Sequence, residues 1–294
     1  MGVLAPILLR VWARLMALLP YRATRIVGEA FGSIAYLARS RSARNTETNL
    51  RLCFPDMGDA QIRRLTRRSL QHTGRLLAEA GITFHWSEQK LNQLVTGVEG
   101  FQPLQEALER GRGVLVLVPH LGNWELFALH FGHYGFTALY DPPKIRSLEG
   151  LIRDSRQRTG ATLLPIGMQG VRGVLGALKE GRLVSLLPDQ VPNPSAGIHA
   201  PFFGHPALTM TFAHRLIQSA DPLVVIGACT RQADGFRIGF TAADEAIYSE
   251  SVEASVAAMN EAIERLVRSD PAQYQWEYKR FKRPPPGVPD PYKS

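Results

Sequence analysis

Apolar runs and segments with helical spacing alternate through the middle of the chain. The runs have the length of buried strands and cover residues 114–118, 137–139, 161–164, 183–187, 223–228 and 236–240. Apolar residues recur with the period of a helix in residues 60–80, 103–110, 124–131, 148–159, 171–179, 210–219 and 251–268. This alternation predicts an α/β fold with a central mixed, largely parallel sheet flanked by helices.

A sharp change of pattern follows the first of these runs. The apolar residues stop, and a histidine and a carboxylate follow five residues apart, at His120 and Glu125. In one continuous helix, five steps of about 100° put these side chains on different faces, so the chain must turn between them if they cooperate. Gly122 permits such a turn, and Asn123 is suited to cap a helix that begins with the next residue. A strand-to-helix corner with a His–carboxylate pair is a common place for catalysis.

Two of the predicted strands end in the same way. Pro119-His120 follows one strand, and Pro188-Asp189-Gln190 follows the other. Parallel strands with matching ends bring His120 and Asp189 to the same carboxyl edge, where open α/β sheets bind their ligands. The structural alternative for Asp189 and Gln190 is a turn pair at the end of a strand.

The N-terminal stretch 3–19 is apolar except for Arg10 and Arg14, which share one helix face because they stand four residues apart. Its leucines and valine gather on another face, which predicts an amphipathic helix at a membrane surface. One alternative is a bilayer-spanning helix, in which each central arginine costs about 2.5–3.5 kcal/mol. The other is a helix of a soluble core. No small-residue cleavage site follows, which disfavours a secretory signal peptide, and residues 26–38 form a second short apolar stretch.

Composition indicates a folded protein with a sizeable core, since 45% of the 294 residues are hydrophobic and 20% are charged. The two cysteines, Cys53 and Cys229, form no disulfide or metal-binding pattern and suit a reducing, cytosol-facing location. The net charge of +8 is uneven, because residues 1–75 hold thirteen arginines and four acidic residues. Such a basic excess attracts nucleic acid, anionic lipid or an acidic protein, and charge alone does not choose between them.

His120 is a candidate general base that takes a proton from a hydroxyl group, with Glu125 holding its useful tautomer. The alternative is a histidine that only satisfies hydrogen bonds at a strand end, and the pattern leaves both interpretations open. Nucleophile-elbow, P-loop, zinc-protease and dinucleotide-binding motifs do not occur in the sequence. His130 and His133 follow Glu125 at helical spacing and suggest a metal site as an alternative, although nearby glycines favour the end of the helix there.

Arg153, Arg156 and Arg158 lie in one basic predicted helix. Most arginines on such a helix form a solvated face. One of them is nevertheless a candidate to neutralise a phosphate group or a developing oxyanion.

Several short motifs follow one another in a specific order. They are Arg44-Asn45 with Asn49-Leu50 and Cys53-Phe-Pro55, His120-Leu-Gly-Asn-Trp-Glu125, Tyr140 to Lys144 followed by Arg156, Leu187-Pro-Asp-Gln190, Pro201-Phe-Phe-Gly204 with Thr209, and Gln273-Tyr-Gln-Trp276 with Arg280-Phe-Lys282. Together they resemble the bacterial late acyltransferases of lipid A biosynthesis, of the lauroyl/myristoyl type, within the lysophospholipid acyltransferase-like superfamily. Leu121 stands where that family commonly has phenylalanine, and Asp141 stands where it usually has arginine.

The resemblance implies an O-acyltransferase that moves a fatty acyl chain from acyl carrier protein, or from coenzyme A, to a hydroxyl of a lipid A precursor. His120 is then the expected general base and Glu125 the residue that orients it. Arg156, Asp189 and Asn123 are the expected substrate-binding residues. No cofactor, no metal and no nucleic-acid partner are expected. The implied location is the cytoplasmic face of the bacterial inner membrane, where the partners are the membrane and the anionic lipid acceptor.

Three parts are expected along the chain. They are an N-terminal membrane-associating helical segment (1–40), an acyltransferase domain (41–283) and an extended proline-rich tail (284–294). Three alternatives to the lipid A function stay open: acyl transfer to another phospholipid, aminolipid or glycolipid, a metal-dependent hydrolase, and a non-catalytic lipid-binding protein.

Overall fold

A seven-stranded sheet forms the centre of the computed structural model, which describes residues 4–142 and 149–293. Its strands are β1 (Val95–Glu99), β2 (Val114–Leu117), β3 (Thr137–Tyr140), β4 (Thr162–Pro165), β5 (Leu183–Leu186), β8 (Leu223–Arg231) and β9 (Phe236–Ala242). Between β5 and β8 in the chain, β6 (Gly197–Phe202) and β7 (His205–Met210) form a separate antiparallel hairpin. Lys144 of the Tyr140 motif lies outside the described residues, and so does residue 148, where a helix was predicted to begin.

The strands lie in the order β1-β9-β8-β2-β5-β3-β4. β8 and β9 are antiparallel, and every other neighbouring pair described in this sheet is parallel. The predicted mixed, largely parallel sheet is therefore confirmed. Each of the six predicted apolar runs contributes one of its strands.

Helices cover both faces of the sheet. They are α1 (Leu4–Leu18), α2 (Tyr21–Leu37), α3 (Arg41–Cys53), α4 (Asp59–His85), α5 (Glu88–Asn92), α6 (Gln102–Glu109), α7 (Trp124–Phe131), α8 (Glu149–Gln157), α9 (Met168–Lys179), α10 (Phe212–Ala220) and α11 (Val252–Ser269).

The central strand β2 shows how the sheet separates two cores. Leu115 and Leu117 join a core built with α9, α10 and α11, whereas Val114 and Val116 join a second core with α6 and α7. All four residues are fully buried, as expected for a parallel strand covered on both faces.

Some elements differ from the prediction. The sequence pattern missed β1, α3, α5 and the β6–β7 hairpin, and it assigned Met210 to a helix although this residue ends β7. Pro201 and Pro206 face each other across the hairpin and interrupt the alternation by which a strand is recognised.

The N-terminal helices α1 and α2 pack against the long helix α4. The contact with α2 is close, because a Cβ atom added at Gly74 of α4 would lie 2.1 Å from the carbonyl oxygen of Gly28. No helix in the described part of the chain is long and apolar enough to cross a membrane. Several large apolar side chains of α1 and α2 are nevertheless exposed, among them Leu18 at 81% and Leu37 at 78%.

A buried ion pair joins α4 to the sheet. Glu79 of α4 accepts hydrogen bonds from the Nε and Nη2 atoms of Arg231, at the end of β8, with distances of 2.7 to 3.0 Å. Both side chains have an exposed fraction of at most 1%. Burial and the charges of Arg231 and of Arg75, which also approaches Glu79, lower the pKa of His72 to about 2. His72 is therefore neutral beside this cluster at physiological pH.

The C-terminal residues fold back onto the body of the protein. The Asn49 amide of α3 donates hydrogen bonds to the carbonyl oxygens of Trp276 and Tyr278. Tyr292, in the proline-rich tail, donates its hydroxyl to Asn49 and accepts the Phe281 N–H. This packing links the tail to α3.

Candidate active site

Register in the sheet brings His120 and Asp189 together. Leu117 of β2 pairs with Leu186 of β5, and each candidate residue stands three positions beyond its strand. His120 Nδ1 lies 2.8 Å from Asp189 Oδ1, and the backbone N–H of His120 donates to Asp189 Oδ2 at 2.9 Å. The matching strand ends thus predicted the right juxtaposition.

The structure corrects the expected partner of His120. Asp189, and not Glu125, holds the ring nitrogen Nδ1. Glu125 lies in the first turn of α7 and pairs with Arg156 of α8. The carboxylate nearest in the sequence is therefore not the one that orients the histidine.

Gly122 makes the turn that separates these residues. Its φ is +67°, and an added Cβ would lie 2.0 Å from the carbonyl oxygen of Cys229. Only glycine fits such a close approach in this backbone conformation. Asn123 then caps α7, as predicted, because its Oδ1 accepts the N–H of Leu126 at 2.9 Å.

Asn123 supports the corner from inside the protein. Its exposed fraction is 1%, its Nδ2 donates to Glu79 at 2.9 Å, and its backbone N–H donates to Cys229 at 2.8 Å. Both ends of the side chain are occupied by protein groups. This placement favours a structural role over the predicted contact with substrate.

Glu125 and Arg156 form a two-point ion pair. Arg156 Nε donates to Glu125 Oε2 at 2.8 Å, and Nη2 donates to Oε1. Burial lowers the pKa of Arg156, but the charge of the Glu125 carboxylate, its hydrogen bonds and Tyr140 together raise it by more, so the net pKa lies above its ordinary value. The guanidinium also lies 5.7 Å from the ring centroid of Tyr140. The pair keeps a fixed cation near His120.

Asp189 stays ionised although it is buried. Burial raises the pKa of its carboxyl group, but the facing His120 ring, the two hydrogen bonds from His120 and the charge of Arg280 lower it below the usual value. Tyr274 lies against the same carboxylate, and burial together with Asp189 raises the pKa of its hydroxyl. Arg280 donates to Leu208 and Thr209 of β7 and supplies a buried positive charge on this side.

A cavity of about 520 Å³ opens at these residues. His120, Glu125, Arg156 and Gln190 are among its polar lining residues. Most of the remaining lining is apolar and includes Val118, Phe127, Phe136, Leu139, Leu163, Leu186, Met210 and Phe212. An apolar cavity with a few convergent polar groups is typical of a small-molecule or lipid site.

Gln190 is the site residue that sequence reasoning left as a possible turn residue. Its amide nitrogen lies 3.1 Å from Nε2 of His120, while Trp124 packs against the same ring with a centroid distance of 4.8 Å. The only signal was its position beside Asp189 at the end of a strand. The sequence motifs include Tyr274 and Arg280, but they did not predict that these residues lie beside Asp189.

The proposed metal ligands do not converge in the structure. His130 Nδ1 lies 2.7 Å from Oδ1 of Asn92 on α5, at the far end of α7. Among residues 4–142 and 149–293, no group of three or more His, Cys, Asp or Glu side chains is arranged to hold a metal ion.

Asp141 lines the cavity at the position where an arginine was expected. Among the described residues that line the cavity, Arg156 supplies the positive charge instead. The cavity wall therefore contains the acidic side chain of Asp141 as well as the Arg156 cation that Glu125 holds in place.

Comparison with known proteins agrees with this geometry. The sequence model described as "Bacterial lipid A biosynthesis acyltransferase" matches residues 5–283. The chain belongs to this family. Membership makes it an O-acyltransferase of the late acyltransferase type.

Two relatives named as lipid A acyltransferases match almost the whole chain, and a third relative with another name matches about half of it. The chain is 27% identical to a lipid A biosynthesis lauroyltransferase of Escherichia coli K12 over 95% of this chain and 91% of the relative. It is 29% identical to a lipid A biosynthesis palmitoleoyltransferase of the same strain over 92% and 88%. A phosphatidylinositol mannoside acyltransferase of Mycobacterium tuberculosis is 30% identical, over 47% of this chain and 45% of that protein.

The lowered pKa of Asp189 makes a prediction about stability and pH. Because the folded-state pKa lies below the value of about 3.9 for a free aspartate, the ionised carboxylate stabilises the fold at neutral pH. This contribution is lost as the pH falls through the lowered pKa. We expect Asp189→Asn to reduce the free energy of unfolding by about 1–3 kcal/mol near neutral pH. Denaturant unfolding at several pH values should show that this difference shrinks only in the acid range, below about pH 4. A difference that stays constant into that range would contradict an ionised Asp189.

Proposed function

We propose that the protein transfers a fatty acyl chain from a thioester donor to a hydroxyl group of a lipid A precursor, with His120 as the general base. One observation carries the proposal: His120, held by the buried Asp189, lines an apolar cavity in a chain of the lipid A acyltransferase family. The expected donor is acyl carrier protein, with coenzyme A as the alternative carrier.

Asp189 sets the direction of proton transfer. An ionised carboxylate accepts hydrogen bonds, so Nδ1 of His120 carries the proton and Nε2 has the free electron pair. Nε2 takes the proton of the acceptor hydroxyl while the oxygen attacks the thioester carbonyl carbon. The carbon–sulfur bond then breaks, and the imidazolium returns the proton to the leaving thiolate.

Transfer is direct in this scheme, without an acyl-enzyme. The side chains that hydrogen-bond to the His120 ring or pack edge-on against it, within the described ranges, are Asp189, Gln190 and Trp124, and none is a serine, threonine, cysteine or lysine. Both oxygens of the buried Asp189 carboxylate are engaged by His120, which leaves this group unsuited to attack a thioester. Both cysteines are buried, and burial raises the pKa of each thiol. A buried, protonated thiol is a poor nucleophile.

Arg156 is proposed to meet negative charge on the acceptor or in the transition state. Its side chain is 29% exposed in the cavity wall and is a cation held in place by Glu125. A guanidinium whose orientation is fixed in advance binds a phosphate or an oxyanion without reorganisation. Glu125 therefore acts through Arg156 and is a positioning residue.

A basic groove offers a surface for an acidic donor protein. It has a volume of about 500 Å³ and is lined by α3 and by the C-terminal residues, including Arg41, Arg44 and Lys279. Within the described part of the chain, none of these three cations forms a salt bridge. The groove lies near the cavity, because Tyr278 precedes Lys279 and its hydroxyl accepts the N–H of Val191 in the cavity wall. Complementary charge of this kind speeds the encounter with an acidic partner.

The N-terminal helices are proposed to attach the protein to the cytoplasmic face of the bacterial inner membrane. Large apolar side chains of α1 and α2 are exposed, and the basic excess lies in the same part of the sequence. An apolar face inserts into the headgroup region, while arginines attract anionic lipid. Both effects would hold the enzyme beside its lipid acceptor.

The general-base role predicts a large loss of activity on substitution. His120→Ala and Asp189→Asn should each reduce acyl transfer by about 10²- to 10⁴-fold, because proton removal from the acceptor is lost. Glu125→Ala should also remove most transfer, since Arg156 is no longer held. His133→Ala is the matched control on an exposed histidine near the end of α7 and should retain activity. Transfer rates of the purified, folded variants decide the matter, and near-normal rates for His120→Ala would refute the mechanism.

Mass spectrometry of lipid A tests the identity of the acceptor. It compares cells that contain the active protein, cells that lack it and cells that contain the variants described above. An added acyl chain that requires His120 is the expected result. The match to the phosphatidylinositol mannoside acyltransferase favours a glycolipid acceptor as the second candidate. An unchanged lipid A profile together with a changed glycolipid would select that candidate.

The basic groove predicts a donor-specific defect. Combined Arg41→Glu and Lys279→Glu substitutions should raise the KM for an acyl carrier protein thioester by about tenfold, because the groove loses its complementary charge. The KM for an acyl coenzyme A should change little. Arg110→Glu with Arg182→Glu is the control, since these residues precede β2 and β5 at the opposite edge of the sheet. An equal effect on both donors would contradict docking in the groove.

The proposed membrane attachment has a separate test. Because the exposed α1 and α2 side chains are apolar, we expect the protein to stay with washed membranes in high salt and to need detergent for release. Leu15→Glu combined with Leu18→Glu should convert this behaviour to release by salt alone. Release of the unaltered protein by salt would show that attachment is electrostatic and that the apolar face does not insert.

A further inference from the structure

Both nitrogen atoms of the His120 ring are covered by protein groups. Asp189 occupies Nδ1 at 2.8 Å, and the side-chain nitrogen of Gln190 lies 3.1 Å from Nε2. Because the Asp189 carboxylate is ionised and accepts the Nδ1 proton, Nε2 presents an electron pair and not a proton. The amide of Gln190 is therefore the donor in this contact. The atom that acts as base is capped by a hydrogen bond.

The cap encloses the ring together with its other neighbours. Trp124 packs edge-on to the imidazole, and only 13% of the His120 side chain is exposed. Gln190 itself forms part of the cavity wall. A molecule that approaches Nε2 from the cavity has to displace the Gln190 amide.

Hydrogen bonds fix the residues on both sides of Gln190, whereas the Gln190 side chain itself has few hydrogen-bond partners. Asp189 accepts two hydrogen bonds from His120, and the N–H of Val191 donates to the Tyr278 hydroxyl at 2.9 Å. The contact with His120 is the only side-chain hydrogen bond of Gln190 among the described residues. Rotation of this one side chain uncovers the base without movement of the loop.

We propose that Gln190 guards the acyl donor against water, by covering Nε2 until the acceptor hydroxyl displaces the amide. This inference rests on the proposed role of His120 as general base. A lipid acceptor bound in the cavity displaces the amide by binding with many contacts, whereas a single water molecule has no such contacts. His120 then activates the acceptor hydroxyl and leaves the thioester unhydrolysed.

The reaction that the guard suppresses is thioester hydrolysis. Water would lose a proton to Nε2, and its oxygen would bond to the carbonyl carbon as the carbon–sulfur bond breaks. The imidazolium would return the proton to the thiolate, so the products are a free fatty acid and a thiol. Water is the only additional reactant.

The test measures hydrolysis without an acceptor. Purified protein is given an acyl coenzyme A or an acyl carrier protein thioester, and thiol release and free fatty acid are followed. Gln190→Met keeps the length of the side chain but removes the donor, so we expect hydrolysis about three- to tenfold faster than for the unaltered protein. With acceptor present, the ratio of transferred to hydrolysed acyl chains should fall. Gln190→Asn, which keeps an amide but is one methylene shorter, should show the same direction.

Two comparisons separate a guard from a merely structural residue. The double variant Gln190→Met with His120→Ala should lose the added hydrolysis, because water is activated through His120. Gln232→Met, an exposed glutamine beyond β8, should hydrolyse at the unaltered rate. Hydrolysis by Gln190→Met that is unchanged, or that falls in step with transfer, would overturn the guard. So would added hydrolysis that survives loss of His120. Failure of the unaltered protein to acylate any lipid would instead overturn the proposed function.

Discussion

The Glu79–Arg231 ion pair is the constraint on which the geometry of the site depends. A buried charge without a partner is strongly unfavourable. Helix α4 and strand β8 must therefore pack so that Glu79 and Arg231 are in contact. The same carboxylate accepts the Asn123 amide, and Asn123 caps the helix that follows His120. The position of α4 is thereby coupled to the corner that carries His120. Removing Glu79 would leave the buried guanidinium of Arg231 without its carboxylate partner, directly behind that corner.

Asp189 and Glu125 lie in different surroundings at the candidate site. Asp189 is buried, receives two hydrogen bonds from His120 and has a lowered pKa, which suits it to hold a histidine tautomer. Glu125 is in the cavity wall and is paired to a cation that no other described carboxylate contacts. The two carboxylates therefore belong to separate pairs, Asp189 with His120 and Glu125 with Arg156. In the proposed mechanism, the first pair removes the proton and the second meets negative charge on the acceptor or in the transition state.

Local signals in the sequence predicted much of this structure, whereas contacts between the side chains of distant residues were predicted correctly only for His120 and Asp189. Apolar runs identified the parallel strands, and the glycine and asparagine after His120 identified the corner, because burial and capping act on neighbouring residues. Matching strand ends placed Asp189 beside His120. Glu125 was assigned to the wrong partner because sequence spacing does not say which way the first turn of α7 faces. The helix α3 was missed because polar residues fill most of its sequence, and only a narrow face of it is buried.

The C-terminal segment gives the site an order of assembly. Gln273 accepts the N–H of Gly122, and Gln275 donates its N–H to the carbonyl oxygen of His120. These residues come after every strand that the structure describes. A nascent polypeptide that stops before Gln273 already contains the strands of the sheet, His120 and Asp189. It still lacks the backbone contacts that clamp the turn, so the corner at His120 is completed only after Gln273 and Gln275 have been synthesised.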